Sequence, residues 1–239
     1  DAAITIQELT REAANVKWPD GSGATSEDRA IFERDTAVPA TSSVSSMVDP
    51  ALVIGQLRDY LPDESVITCD AGNFYGWLSR YFRYRQPGTF LGPTSGAMGY
   101  AVPSAIAAAF VRGNRVPSVA VAGDGGFMMT ANELAVAAQH DLNVKCVVFN
   151  NAMYGTIRLH QERAYPGRVA GTSLASPDFV RFAEAFGGVG VRVEDNADIA
   201  DGIRTVFDQP GVGILEIAVA EDTIAVGQSL ERLQGPNRR

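Results

Sequence analysis

The sequence predicts an α/β protein, a doubly wound parallel sheet of about six strands with helices on both faces, and three observations carry that expectation. First, Val119–Ala122 and Val144–Phe149 are short, continuous apolar runs rich in β-branched residues, the composition of strands buried on both faces. Second, Thr130–His140 between them has helical spacing, which makes a βαβ unit. Third, similar short apolar runs alternate with helical stretches on either side of that unit, from Ser65 to Val219. Each strand of the unit ends at a polar cluster, Gly123-Asp124-Gly125-Gly126 after the first and Asn150-Asn151 after the second. A right-handed crossover points both strands the same way, so both clusters emerge at the carboxyl edge of the sheet, where open α/β sheets bind ligands. Asp124 and Asn151 are therefore expected side by side although 27 positions separate them.

Taken in order, Ile4–Val16 reads as a helix with Ile6, Leu9, Ala13 and Val16 on one face, ended by the breakers of Trp18–Gly23. Ala37–Ser46 has the Ala, Ser, Thr and Pro content of a linker. Asp49-Pro50 caps a helix to Tyr60, and Ser65–Cys69 is the first strand. After the loop Asp70–Asn73, Phe74–Phe82 is helical, its aromatics assigned to the core or a subunit interface. Arg80, Arg83 and Arg85 read as solvated surface. Gly99–Arg112 is an Ala-rich helix whose small face suits close packing against its partner or a second subunit. Beyond Asn151, Tyr154–Glu162 is a helix and Tyr165–Thr172 a polar loop placed to cover a pocket. Ser176-Pro177-Asp178 caps a helix Phe179–Phe186, followed by strand Val189–Val193, helix Ile199–Asp208 and strand Val212–Val219. Glu221–Arg239 shows no periodicity, and Leu233–Arg239 is expected to fray or follow a neighbouring surface.

With 239 residues, 46% of them hydrophobic, the chain can bury a sizeable core. A formal net charge of −8 argues against nucleic acid as the partner, since phosphate backbones call for clustered Lys and Arg. No run of 18 apolar residues is present, so no membrane span is expected. Cys69 and Cys146 lie in apolar strands without metal or redox spacing and read as reduced core thiols, which suits a cytoplasmic protein. The chain opens at Asp1 with neither methionine nor signal-peptide pattern, so its beginning is expected in another segment.

The paired clusters suggest a hard divalent cation holding a phosphate. One carboxylate, one amide oxygen and a backbone carbonyl make an oxygen site suited to Mg²⁺, which keeps places for water and phosphate oxygens. Glycines beside Asp124 let backbone N–H groups approach those oxygens, and a following helix turns its positive end toward them. GDG alone is an ordinary turn and Asn-Asn an ordinary loop; closing the two strands of one βαβ unit, they point to a shared site. His160 is a candidate proton carrier, because imidazole titrates near neutrality, or else a surface histidine. His140 reads as a partner for the dipole of the helix it ends. No strand is followed by GxGxxG, which disfavours a nicotinamide-binding module.

Gly123-Asp124-Gly125 followed at a distance by Asn150-Asn151 resembles the signature of the thiamine-diphosphate-dependent enzymes, in their cofactor-diphosphate-binding domain. Two further segments agree. Thr94-Ser95-Gly96-Ala97-Met98-Gly99-Tyr100 looks like the segment that holds the aminopyrimidine ring in the acetolactate-synthase-like branch, and Asp70-Ala71-Gly72-Asn73-Phe74 is similar to a loop touching the diphosphate. The resemblance implies Asp124, Asn151 and the Met153 carbonyl as Mg²⁺ ligands. For the cofactor it implies Gly72, Asn73, Phe74, Gly96, Ala97, Met98, Gly123, Asp124, Gly125, Gly126, Asn151, Met153 and Tyr154. Gly96 would offer its carbonyl to the ring's amino group, and Met98 would wedge under the bent cofactor. It divides the chain into residues 1–47, the tail of a preceding middle domain plus a linker; 48–220, the thiamine-diphosphate-binding domain; and 221–239, a C-terminal tail.

The implied activity is cleavage or formation of C–C bonds at 2-oxo acids, by a carboligase or decarboxylase working as a homodimer or homotetramer. An activating glutamate is expected from another domain, and FAD is carried by the middle domain of some relatives. Rival readings are a 2-hydroxyacyl-CoA lyase on the same scaffold and a non-catalytic diphosphate-binding regulatory module.

Overall fold

The computed structural model describes residues 1–17, 22–44 and 46–234, so most of the breaker run at Trp18–Gly23 and most of the tail at Leu233–Arg239 lie outside the described residues. The chain divides into two compact units, Asp1–Ala37 and Val38–Arg239. The first contains helices α1 (Ala2–Ala13) and α2 (Ser22–Asp35). The Asp1 carboxylate caps α1 by accepting from the Ala3 N–H at 2.8 Å. Ile4, Ile6 and Leu9 are exposed on it. Helix α2 was not expected, because its apolar residues are too few to mark a face.

In the second unit, Asp49 caps α3 (Pro50–Tyr60) with Pro50 in the first turn, as its sequence predicts; the Asp49 carboxylate accepts from Ala51 at 2.9 Å and from the Ser43 N–H at 2.7 Å. There follow β1 (Val66–Cys69), α4 (Tyr75–Tyr81), β2 (Phe90–Leu91), α5 (Ala101–Arg112) and β3 (Ser118–Gly123). Then come α6 (Asp124–Thr130), a 3₁₀ turn at Ala131–Glu133, α7 (Leu134–Gln139), β4 (Val144–Asn150), α8 (Gly155–Ala164) and α9 (Phe179–Ala185). The unit closes with β5 (Val189–Val193), α10 (Ile199–Phe207), β6 (Gly213–Ala218), β7 (Thr223–Ala225), β8 (Gln228–Ser229) and α11 (Leu230–Gln234).

Six strands form one sheet in the order β2-β1-β3-β4-β6-β5, every pair parallel. Both faces are covered, which is why the strands read as unbroken apolar runs. On one face Ile67, Val121, Val147 and Leu215 pack with α3, α4 and α10; on the other Ala120, Cys146, Val148 and Ile214 pack with α5, α6, α7 and α9. Each such large aliphatic side chain contributes roughly 1.5–3 kcal/mol on burial. The small face of α5 lies on this sheet, where Ala101, Ala105 and Ala109 are buried. Both cysteines are free and buried.

Four local expectations need correction. The sixth strand, Phe90–Leu91, has only two residues, too few to show a period. The helix after β3 starts at Asp124 rather than Thr130, because Gly125 and Gly126 are helical glycines required by close neighbours rather than turn formers. Lys145 sits inside the apolar run of β4, fully buried, its ammonium donating to the Gln209 and Gly211 carbonyls at 2.7 Å each. The segment after Val219 folds into the antiparallel β7–β8 hairpin and α11, with Ile224 and Leu230 buried against Met153 and Leu159. Its pieces are two to five residues long, too short for periodicity to register. Among the described residues no helix is long and apolar enough to cross a membrane.

The chain leaves β1 toward β2 on one side and then crosses to β3 on the other, so the winding reverses between β1 and β3. A crevice at the carboxyl ends of those strands is where such a sheet takes a ligand.

Candidate functional site at the carboxyl edge

At that crevice a cleft, open to solvent, is lined from three strand ends. The loop after β1 brings Gly72, Asn73 and Phe74; β3 and the first turn of α6 bring Gly123, Asp124, Gly125 and Gly126; the loop after β4 brings Asn151, Met153 and Tyr154. Met98 reaches it from the segment before α5. The two clusters that the sequence separates by 27 positions thus share one wall.

Asp124 is 2% exposed and begins α6. Burial pushes its carboxyl above the usual range, while the Gly125 and Ala152 N–H groups and the Ser176 hydroxyl favour the charged form. Ser176 donates to Oδ2 at 3.2 Å. The Ala152 contact joins Asp124 directly to the Asn-Asn turn.

The two asparagines of that turn have different jobs. Asn150 Oδ1 accepts from the Ala152 N–H at 3.0 Å, and its amide donates to buried Glu216 at 2.7 Å. Glu216 is held in turn by Arg192 at 2.5 Å. These bonds secure a turn in which Ala152 takes φ +54°, a conformation that costs a non-glycine residue roughly 1–2 kcal/mol. Asn151 faces the cleft, and among the described residues no hydrogen bond engages its amide. Tyr154 N–H donates to the Thr172 carbonyl and Leu174 N–H to the Ala152 carbonyl, both at 2.8 Å, and these bonds pass on either side of the Met153 carbonyl. One carboxylate, one unengaged amide and one carbonyl outside the local ladder form an oxygen donor set of the kind Mg²⁺ takes. Among the described residues no group of three His, Cys, Asp or Glu side chains is assembled for a metal.

The glycines are needed for close approach. A Cβ on Gly125 would meet the Tyr154 ring at 2.5 Å and Leu174 at 2.9 Å, and one on Gly126 would fall on the Asp70 carboxylate. Phe74 covers Gly72 and stacks on Phe149, ring centroids 6.1 Å apart. The first turn of α8, Gly155 to Ile157, also lines the cleft and adds N–H groups without intrahelical partners.

Not every candidate lies on this wall. Gly96 lines a neighbouring hollow with Asp70, Tyr75 and Phe90. Ala97 accepts from the Ala71 N–H at 3.1 Å. The Asn73 side chain is engaged, donating to the Ile224 carbonyl and accepting from the Thr156 hydroxyl at 2.9 Å each. His160 is exposed on α8, outside the cleft lining, and the Tyr165–Thr172 loop is tied to α8 through Gln161 and Ala170 and does not line the cleft. Sequence reasoning missed Ser176, noticed only as part of a helix cap, and missed Thr223 and Ile224, which close one wall from the aperiodic C-terminal segment.

Residues 70–217 match the family described as thiamine pyrophosphate enzyme, C-terminal TPP binding domain. The acetolactate synthase of Bacillus subtilis (strain 168) is 31% identical over 223 residues, which are 92% of this chain and 38% of that protein. A sulfoacetaldehyde acetyltransferase of Alcaligenes xylosoxydans xylosoxydans is 31% identical over 169 residues, 70% of this chain and 28% of that protein. The chain therefore spans well under half the length of these relatives. A Rhodococcus jostii RHA1 thiamine diphosphate-dependent 4-hydroxybenzoylformate decarboxylase shares the fold, with a TM-score of 0.71 at 22% identity over 77% of this chain and 35% of that one. With the family match running from Asp70, just past β1, to Ile217 in β6 and covering the glycines and both polar clusters of the cleft, the chain belongs to the thiamine pyrophosphate enzymes as a C-terminal TPP-binding domain.

Proposed function

We propose that this chain is the diphosphate- and Mg²⁺-holding part of an acetolactate-synthase-like carboligase or decarboxylase acting on 2-oxo acids. The observation that carries the reading is the buried Asp124 carboxylate and the unengaged Asn151 amide lining one cleft with Met98. The relatives named acetolactate synthase and sulfoacetaldehyde acetyltransferase support the reaction class.

Asp124, Asn151 and the Met153 carbonyl would hold Mg²⁺, whose charge offsets the burial that raises the Asp124 carboxyl. N–H groups at the starts of α6 and α8 would bind the diphosphate oxygens, Gly125 and Gly126 letting α6 pack closely against Tyr154 and Asp70. Met98, 37% exposed and lining the cleft, would support the ring end. Thiamine diphosphate, when bound, supplies a nucleophilic thiazolium carbon and an electron sink for CO₂ loss. The chain's own residues clamp and orient, and the proton chemistry that activates the carbon falls to a glutamate of another domain and a second subunit. Buried thiols at Cys69 and Cys146 suit a cytoplasmic enzyme.

The test is calorimetric titration of the full chain with thiamine diphosphate, thiamine monophosphate and ADP, each with and without Mg²⁺. Binding is expected for thiamine diphosphate with Mg²⁺ and should vanish in Asp124→Ala. Metal-independent binding, or a variant of unaltered affinity, would overturn the reading.

A further inference from the structure

Asp70 closes β1 and is 2% exposed, yet its side chain does not line the cleft. Its Oδ1 accepts from the Ala101 N–H at 2.6 Å and its Oδ2 from the Gly99 N–H at 2.9 Å, with the Tyr100 N–H also in reach. Those groups follow Met98 directly. On the other side of Met98, the Ala97 carbonyl accepts from the Ala71 N–H at 3.1 Å. Met98 is therefore bracketed by two attachments to the same strand end.

The carboxylate also faces α6. Oδ2 occupies the space a Cβ of Gly126 would need, and the Met98 methyl lies 3.7 Å from that same point. Farther along α6, the Thr130 hydroxyl donates to the Gly99 carbonyl at 3.0 Å. Gly99 itself takes φ +77°, a backbone open to glycine, and sits against Thr130 and Met129. The segment carrying Met98 is thus bonded to the far end of the helix carrying Asp124 through Thr130, and near the start of that helix the Asp70 carboxylate that holds the segment packs against Gly126. Both oxygens are used, and the charge also complements the N-terminus of α5.

We propose that Asp70 is a positioning residue that fixes the separation between the Met98 support and the Asp124 helix, and so selects a ligand whose ring and diphosphate ends are held that far apart. The proposal rests on the cofactor reading above. It makes a prediction that the reading alone does not: Asp70 matters for binding both ends of the cofactor at once and little for binding the diphosphate end alone.

The experiment compares two probes on the full chain, Mg²⁺ with inorganic pyrophosphate and Mg²⁺ with thiamine diphosphate, in the wild type, Asp70→Asn and Asp70→Glu. Asn puts an NH₂ group against a backbone N–H and loses one acceptor; Glu keeps the charge but lengthens the reach. Both variants should weaken thiamine diphosphate about tenfold or more, the effect of one hydrogen bond to a charged group, while pyrophosphate stays within about threefold. Equal losses for both probes would make Asp70 a general support of the fold and overturn the proposal, as would unchanged cofactor affinity or full rescue by Glu. If the wild type binds neither probe, the cofactor reading fails first and takes the proposal with it. Should both variants fail to fold by circular dichroism, Thr130→Val, which cuts the second fastening, should show the same split between probes, and parallel losses there would overturn it.

Discussion

Asp70 and Asp124 invite comparison because they stand at the carboxyl ends of neighbouring strands, one just past β1 and the other just past β3, and each is 2% exposed. Burial pushes both carboxyls up, and backbone N–H groups pull both back. They differ in what is left over. Asp70 spends its oxygens on the turn before α5, whereas Asp124 lines the cleft and its side-chain partner is a serine hydroxyl at 3.2 Å. Residue type and depth do not separate a fastening carboxylate from a ligand-holding one; the remaining acceptor capacity and what it faces do.

The largest expected effect breaks this comparison most directly. Asp124→Asn keeps shape and burial but removes the charge, and metal-dependent binding of thiamine diphosphate should fall about a hundredfold or more, beyond the range seen for residues that only orient a ligand. Calorimetry with Mg²⁺ reads it, and a loss no greater than that of Asp70→Asn would erase the distinction between the two aspartates.

Next comes Gly126→Ala. Its methyl would press on the Asp70 carboxylate, which is fixed by two N–H groups and cannot swing away, so overpacking should destabilise the fold by about 2 kcal/mol. Urea unfolding measures it, and a neutral result would mean that Asp70 has room to move.

That pair of residues also marks where the sequence was readable. The sheet was legible because strands buried on both faces cannot alternate, so Val119–Ala122 and Val144–Phe149 stand out, and crossover handedness then puts Asp124 beside Asn151. What stayed hidden depends on contacts rather than pattern. Nothing in Asn150-Asn151 says that the first amide is spent on Glu216 and Ala152 while the second faces the cleft. Gly125-Gly126 reads as a turn, since local composition cannot show a tyrosine ring or a carboxylate arriving from elsewhere in the chain. Ser176 and Ile224 reach the site from segments with no periodicity, and only the folded chain brings them there.

The opposite edge of the sheet supplies a third buried charge and a smaller effect. Lys145 is fully buried at the amino end of β4, and burial lowers its pKa from 10.5 to about 8, while the Gln209 and Gly211 carbonyls favour the ammonium. Between pH 8 and 10.5 the unfolded chain keeps a proton that the folded chain has released, so stability from this group rises with pH in that window and is flat below it. Lys145→Met should remove the rise, a difference of about 2 kcal/mol between pH 8 and 10. Comparing both proteins by urea midpoint cancels every other titrating group, and an equal slope in the two would show that Lys145 does not release its proton there.

The smallest effect sharpens the contrast between the aspartates. Ser176 gives Asp124 its side-chain hydrogen bond, at Oδ2. At 3.2 Å, with a half-buried donor that water can replace, the bond is worth less than a tight charged one, and Ser176→Ala should weaken Mg²⁺ about threefold in the presence of thiamine diphosphate. Ser176→Thr, which keeps the hydroxyl, should restore most of it. Manganese titration followed by electron paramagnetic resonance can resolve so small a change. Equal affinity in the alanine variant would mean that the backbone N–H groups of Gly125 and Ala152 orient Asp124 unaided, and the two aspartates would then be held by the same kind of donor and differ only in facing the cleft.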